Sequence, residues 1–475
     1  MSSMTALIAC DTFAPDHNGT ATFSKNLAVS LQKRGFEVHV IAPATSKLYG
    51  TFREKHDDVP IIVHRLKSYR LPFQPSQRFV SPFRLTGRLN GLLKAIRPDV
   101  VHIQSHINIG HHAAIAAVKN DIRLIATSHI DAHNLVENAI LAPNFVKNFL
   151  TDLLLKDAAR VFRAAEAIAA PTKRAAQMLE SSVKGLRVLP ISAGVDIDLF
   201  NTLDEPIQSD RKLLYVGRLD REKHVYVLLE AISKLPKSFH VALEIVGSGS
   251  QANELSKLAA ELGIQDSVHF SGELSDAALL GKLGESSVFV MPSIQELQSM
   301  ATLEAMAAGR PILAANAMAL PHLVHDGENG FLFRPDSPTD LALKIQHIFG
   351  IPELDFIRLS QGSRVLIESH DLEATVDVYE RLYKGLPVDV TTLDNEPEYE
   401  APISTTKRFT NFVRRSSKTI ERSTNGVIER LDDVRGSVVE TFSEVRFSIE
   451  RRSRKASRKL SNSLRRILKS IRRDD

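Results

Sequence analysis

Four charged residues raise the first question about chemistry. Arg218 and Lys223 lie in "YVGRLDREKH", just past an apolar run, and Glu296 and Glu304 stand eight apart in "PSIQELQSMATLEAMAAGRPILAA". Two cations beside a helix start suit a diphosphate, because free amides and the helix dipole favour an anion and each positive charge adds Coulomb attraction. On those two residues alone, a solvated charged turn is the competing reading. Glu304 falls inside a helix among Ala, Leu and Met, where an ionised carboxylate is costly unless donors satisfy it. The vicinal diol of a ribose offers two donors; a helix-surface glutamate is the alternative. Glu296 falls in the loop at a strand's end, ahead of a helix that starts near Gln298 or Ser299 and stops at Gly309.

The elements that hold these residues follow from hydrophobic pattern. "ALIAC", "EVHVIAP", "IIVHRL", "DVVHIQ", "RLIATSH", "AIAAPT" and "RVLPISAG" read as strands alternating with helical stretches such as "TATFSKNLAVSLQKRG". The series restarts with "KLLYVGRL", "VALEIVGSG", "SVHFSGEL", "SVFVMPS", "RPILAAN" and "NGFLFRP". Such alternation predicts an α/β chain with two doubly wound parallel-sheet domains, residues 1–200 and 201–370, joined through residues 191–210. A helix near 371–386 crosses back to the first domain; residues 387–406 read as a linker and 407–475 as a basic amphipathic tail. Open parallel sheets bind ligands beyond the carboxyl ends of their strands. Gly217, Gly247 and Gly249 sit at such ends and read as points where backbone approaches a ligand, although glycine also marks ordinary turns.

Composition narrows the class. The chain has 475 residues, 43% apolar and 24% charged, enough for two cores without disulfides. Its one cysteine, Cys10, lies in an expected buried strand and reads as a structural thiol in a reducing compartment. No apolar run approaches the roughly 20 residues of a spanning helix, and the N-terminus lacks a signal-peptide start, so a cytoplasmic, peripheral protein is expected. The net charge of +4 hides an asymmetry: residues 401–475 carry +11 and the rest −7. Residues 451–473 hold eleven Lys or Arg and no acid, with Ala456, Leu460, Leu464, Ile467, Leu468 and Ile471 on one helical side. Such a helix lies on an anionic membrane. The absence of aromatic residues there weakens a single-stranded nucleic-acid reading, and a disordered solubilising segment is the other alternative. Residues 67–97 interleave seven basic residues with Tyr69, Phe73, Phe79 and Phe83, as either a membrane contact or a cover for the sheet.

Glu296 and Glu304, with "YVGRLDREK", "EIVGSG", "FSGEL", "VMPS", "AGVDIDLF" and "DGENGFLF", together resemble the retaining GT-B-fold glycosyltransferases that include glycogen-synthase-like enzymes and lipid mannosyl- and glucosyltransferases. The likeness covers roughly residues 5–385. It implies an NDP-sugar donor, GDP-mannose or UDP-glucose with mannose favoured, held by the second domain and an acceptor held by the first. Transfer would retain configuration at the anomeric carbon, with no cofactor and no required metal.

Carried over residue by residue, Arg218 and Lys223 contact the diphosphate, Glu304 the ribose and Glu296 the sugar hydroxyls. Backbone amides at Leu297, Gln298 and Ser299 complete the pocket. The usual E-x-F-G is here Glu296-Leu297-Gln298-Ser299, a form similar to several glycolipid-forming members. In "FAPDHNGTATFSK" one glycine of the family's usual pair is Asn18, expected to contact the acceptor, and Gly19 remains to let backbone approach the donor phosphate or acceptor. His129 corresponds to a histidine near the reacting centre, and His106 reads as lining the acceptor site. His102, His106, His111 and His112 straddle a strand end and a helix start, so a metal cluster is disfavoured. The expected acceptor is a membrane lipid such as diacylglycerol, a glycosyl-diacylglycerol or a phosphatidylinositol, on the inner face of the plasma membrane. The alternatives are a soluble sugar, inositol or polysaccharide acceptor, and a non-catalytic membrane-associated scaffold.

Overall fold

The computed structural model describes residues 3–16, 18–71, 74–129 and 144–388. The linker and tail readings for residues 389–475, and Phe73, lie outside them. Two sheets carry the fold, both within one unit, Met1–Glu398. The first has eight strands: β1 (Thr5–Ala9), β2 (Glu37–Pro43), β3 (Gly50–His56), β4 (Val59–Leu66), β7 (Val100–Ile103), β8 (Arg123–Thr127), β9 (Ala167–Ala170) and the two-residue β10 (Leu189–Pro190). Their order is β10-β9-β8-β7-β1-β2-β4-β3. Between β4 and β7 the chain makes a separate antiparallel hairpin of β5 (Ser68–Leu71) and β6 (Gln74–Val80). The second sheet comprises β11 (Lys212–Val216), β12 (Ala242–Val246), β13 (Val268–Gly272), β14 (Val288–Met291), β15 (Ile312–Ala315) and β16 (Gly330–Phe333), ordered β13-β12-β11-β14-β15-β16.

The central strands β7, β14 and β15 are buried along their whole length, as a sheet covered on both faces requires. The expected uniformly parallel first sheet needs one correction. Strand β3, "GTFREKH", runs antiparallel at the edge, and its charged residues give no apolar run to read. Edge strands rich in charge resist pairing with other chains, which accounts for that composition.

Each sheet reverses direction at its centre, between β1 and β7 in the first and between β11 and β14 in the second. These reversals open a crevice at the carboxyl ends of the strands. The segments that follow β1, β7, β11 and β14 contain Asn18, His106, Arg218 and Glu296, so the fold alone brings the predicted residues to two such crevices.

The chain passes between the sheets at residues 191–196 and returns at 368–372, where Val195 and Asp371 form an isolated parallel bridge. Val195 N donates to His370 O at 2.9 Å and Leu372 N to Val195 O at 3.0 Å. The final helix, Leu372–Tyr383, then packs Leu372, Val376, Tyr379, Leu382 and Tyr383 into the core of the first sheet. Arg34, at the end of the first helix (Gly19–Lys33), reinforces this docking through Glu373 at 2.6 Å and Glu380 at 3.0 Å.

Candidate active site

Strands β11 and β14 are neighbours, so the loops beyond them face one another. Lys223 ends the short turn Arg221–Lys223, and its Nζ lies 2.6 Å from Glu296 Oε1, with both side chains largely buried. Two residues singled out separately in the sequence therefore form one ion pair. Arg218 reaches the same crevice, but its guanidinium is held by Asp220 and by Glu222, the latter at 2.6 Å. Each cation thus has a carboxylate partner from which an incoming diphosphate would have to draw it.

Glu304 lies on the helix Met300–Ala307. Burial pushes its carboxyl up to about 7, the negative charge of Asp276 adds to that, and Lys25 opposes it. Lys25 comes from the first helix, and its Nζ is 3.3 Å from Asp57 and 3.6 Å from Asp276, an ion pair that joins the two halves beside Glu304. Ser299 caps the helix: its Oγ accepts from Thr302 N at 3.3 Å and from Thr302 Oγ1 at 2.8 Å. The first amides of any helix lack intrahelical acceptors, so this N-terminus, beside Lys223, is suited to an anion. The Leu297 and Gln298 side chains point elsewhere. Leu297 packs against the first sheet's core, and Gln298 hydrogen-bonds to Ser192 and Ala193.

The glycines have a packing role of their own. A Cβ at Gly247 would lie 2.0 Å from Gly217 O, and one at Gly249 would lie 2.4 Å from Leu219 backbone. These residues let two loops pack backbone to backbone, with Gly217 N donating to Val246 O at 3.0 Å and Leu219 N to Ser248 O at 2.8 Å. Loop packing by itself therefore accounts for glycine at 247 and 249. Gly19 is similar: a Cβ there would sit 3.3 Å from Met300 Cγ on the opposing half.

On the acceptor side, Asn18 is spent as a helix cap. Its Oδ1 accepts from Ala21 N at 3.0 Å and its Nδ2 donates to Thr12 Oγ1 at 2.8 Å, which corrects the expected acceptor contact of its side chain. His129 Nε2 lies 3.0 Å from Gln104 Oε1, and Phe23 packs beside the ring. An amide oxygen only accepts, so Nε2 carries the proton and Nδ1 keeps a lone pair for a hydroxyl donor. Burial pulls His129 down to about 4 and keeps it neutral. Gln104 in turn contacts His102, which bonds Tyr383 OH at 2.7 Å and Thr127 Oγ1 at 2.7 Å. His106 is buried against Phe162, and neither ring nitrogen has a hydrogen-bond partner among the described residues. His111 pairs with Asp157 at 2.8 Å and His112 with Thr86 at 2.7 Å, so the histidines of this stretch serve different neighbours. Cys10 is buried and pushed up to about 12 by that burial, as befits a structural thiol.

Sequence reasoning missed Gln104, Lys25 and Asp276. Gln104 directly follows "DVVHI" at the strand end, a position that could have drawn attention. Lys25 and Asp276 gave no signal, because they meet only through tertiary structure.

Residues 204–355 match the family described as Glycosyl transferases group 1, and residues 17–199 match Glycosyltransferase Family 4. The chain is 28% identical over 402 residues to a D-inositol 3-phosphate glycosyltransferase of Streptomyces scabiei, covering 77% of this chain and 86% of that one. It is 26% identical over 371 residues to an alpha-monoglucosyldiacylglycerol synthase of Streptococcus pneumoniae, covering 74% and 80%. Among solved structures, Anabaena HepE in complex with UDP-glucose superposes with a TM-score of 0.63 at 17% identity, over 81% of this chain and all of that one. With its two facing Rossmann-like sheets and these matches, the chain belongs to the group 1 glycosyltransferases of GT-B fold.

Proposed function

We propose that the chain moves a hexose from a nucleotide sugar to a membrane lipid with retention of anomeric configuration. The observation that carries the donor half is the Lys223–Glu296 contact beside the N-terminus of the Glu304 helix. It gathers a cation for phosphate, a carboxylate for sugar hydroxyls and a carboxylate for ribose in one crevice. GDP-mannose, the donor favoured by the sequence resemblance, and UDP-glucose both fit that description.

The reaction requires the anomeric carbon–oxygen bond to the diphosphate to break as the acceptor oxygen bonds from the same face. The acceptor proton passes to the departing phosphate oxygen. Arg218 and Lys223 neutralise that oxygen, which is where fixed charge contributes most to the transition state. Neutral His129 accepts a hydroxyl of the transferred sugar through Nδ1, and closure of the two halves excludes water. Charge stabilisation by these side chains is why the proposal needs no metal. A chelator should leave turnover within about twofold, and complete, reversible loss would overturn that part.

Support for a lipid acceptor comes from the surface around the β5–β6 hairpin. Tyr49, Tyr69, Phe79 and Phe83 are exposed there, Lys67 Nζ lies 6.0 and 5.7 Å from the Tyr49 and Tyr69 rings, and Arg84 lies over Phe83 at 5.2 Å. Exposed aromatics interleaved with cations suit an anionic bilayer interface. Among the described residues no helix is long and apolar enough to cross a membrane. The basic 451–473 segment would add a second contact. Likeness to the D-inositol 3-phosphate glycosyltransferase favours a second reading, a soluble polyol acceptor. Radiolabelled GDP-mannose and UDP-glucose, offered with either a lipid extract or soluble polyols, separate the two: organic-soluble label supports the lipid reading, and a new labelled sugar–polyol product that forms only when polyols are added supports the second.

A further inference from the structure

We infer that Gln298 is a positioning residue that ties the donor loop to the hinge, so that the sugar pocket is assembled only when the two halves close. The inference rests on the glycosyltransferase reading and deepens it. Gln298 stands between Glu296 and the helix beginning at Met300, within the loop that would hold the sugar and phosphate. Its Oε1 accepts from Ala193 N at 2.8 Å, and its Nε2 donates to Ser192 Oγ at 3.0 Å. Ser192 and Ala193 belong to the outgoing crossing between the sheets. Ser192 Oγ also bonds His370 Nδ1 at 2.9 Å, on the returning crossing, and accepts from Gly194 N at 3.2 Å. The Gln298 amide therefore bonds the outgoing crossing directly and reaches the returning one through Ser192 Oγ.

The hinge itself has little freedom to drift. Gly194 adopts φ +71°, and a Cβ there would lie 2.8 Å from Leu372 Cα and 2.8 Å from Thr375 Oγ1. A second tie holds the neighbouring residue, as Thr172 Oγ1 of the first half donates to Leu297 O at 2.9 Å. The backbone that presents amides toward the donor is thus fixed on one side by the hinge and on the other by the first half. Glutamine suits this place because its two adjacent bonds need an acceptor and a donor on one side chain; a hydrophobic residue supplies neither. Loss of the tie should leave the diphosphate cations in place while loosening the sugar and admitting water.

The experiment compares the parent, Gln298→Leu, Ser192→Ala and the double variant, using whichever of UDP-glucose and GDP-mannose the parent consumes. Transfer and donor hydrolysis are measured together, with UDP and GDP affinity taken by calorimetry and folding checked by thermal unfolding. Gln298→Leu should lower transfer about tenfold and raise the ratio of hydrolysis to transfer at least threefold, with nucleotide affinity within threefold of the parent. Ser192→Ala, the milder change, should act in the same direction, and the double variant should be no worse than Gln298→Leu. Unchanged transfer and hydrolysis in both single variants, losses that multiply in the double variant, or nucleotide affinity falling in step with transfer would overturn the coupling. A parent inactive with every donor would instead strike at the glycosyltransferase reading itself.

Discussion

At the scale of single residues, the candidate site is organised by what burial does to charge. Glu304 is pushed up to about 7, so in the free protein it is largely protonated below that pH and ionised above it. A ribose diol donates best to the ionised form. Nucleotide affinity should therefore fall by up to about tenfold per pH unit below pH 7, because binding must then expel a proton. Glu304→Gln should abolish that slope in calorimetric titrations from pH 5 to 8; a slope that survives would place the titrating group elsewhere. The sign for stability runs the other way. A carboxyl raised on folding destabilises the folded state once pH exceeds its unfolded value, fully so above about 7. Glu304→Gln should accordingly raise the melting temperature at pH 8 relative to the parent and leave it nearly unchanged at pH 4, which is a stability cost retained for function. On the acceptor side, Gln104→Leu removes the acceptor that fixes the His129 proton on Nε2. Transfer should drop about tenfold with nucleotide affinity preserved, and unaffected transfer would show that the His129 tautomer does not matter.

At the scale of elements, the Lys25–Asp276 contact is the ion pair expected to respond to closure. Asp276 is well exposed, so the pair adds little stability by itself. Its value would lie in orienting the helix Asp276–Glu285 against the first helix, where both charges act on Glu304. Lys25→Ala should raise the donor KM severalfold, leave the melting temperature within about 2 °C, and blunt the salt dependence of KM; an unchanged KM would remove the pair from the account. The elements themselves were largely legible in the sequence. Every strand of the second sheet was readable because each is a short run rich in apolar residues with Gly, Pro, Ser or Asn at or just past its end. Strand β3 was missed because Arg53, Glu54, Lys55 and His56 offer no apolar signal, and its place at the edge needs none. The site was legible in its charged residues and illegible in its ties. Glu296 and Lys223 announced themselves by type and spacing, whereas Gln298 looked like part of the donor loop and gave no hint that its amide reaches Ser192. The glycines show a related gap. Sequence marks where a Cβ is forbidden, but only the fold says whether backbone or ligand fills the space.

At the scale of the whole molecule, the chain couples a group 1 glycosyltransferase body to a strongly basic C-terminal segment. The body ends in a helix docked on the first core, with Arg381 bonded to Pro387 O at 3.0 Å and Val388 packed beside that core. A chain truncated after Val388 should keep UDP or GDP binding and lose most affinity for anionic vesicles, since each cation near such a surface adds about 1 kcal/mol before screening. Sedimentation with anionic and neutral vesicles checks this: equal binding by full-length and truncated protein would assign the contact to the hairpin surface. The central claim, retaining transfer to lipid driven by the Lys223–Glu296 crevice, is tested most directly by the product. The measurement is the anomeric configuration and formation rate of lipid-linked sugar made from GDP-mannose or UDP-glucose by the parent and by Lys223→Ala. Both donors are α-linked, so the account predicts an α-linked glycolipid from the parent and at least about hundredfold less from the variant, a loss of roughly 2.7 kcal/mol in transition-state stabilisation. A β-linked product, or equal rates from the two proteins, would contradict it.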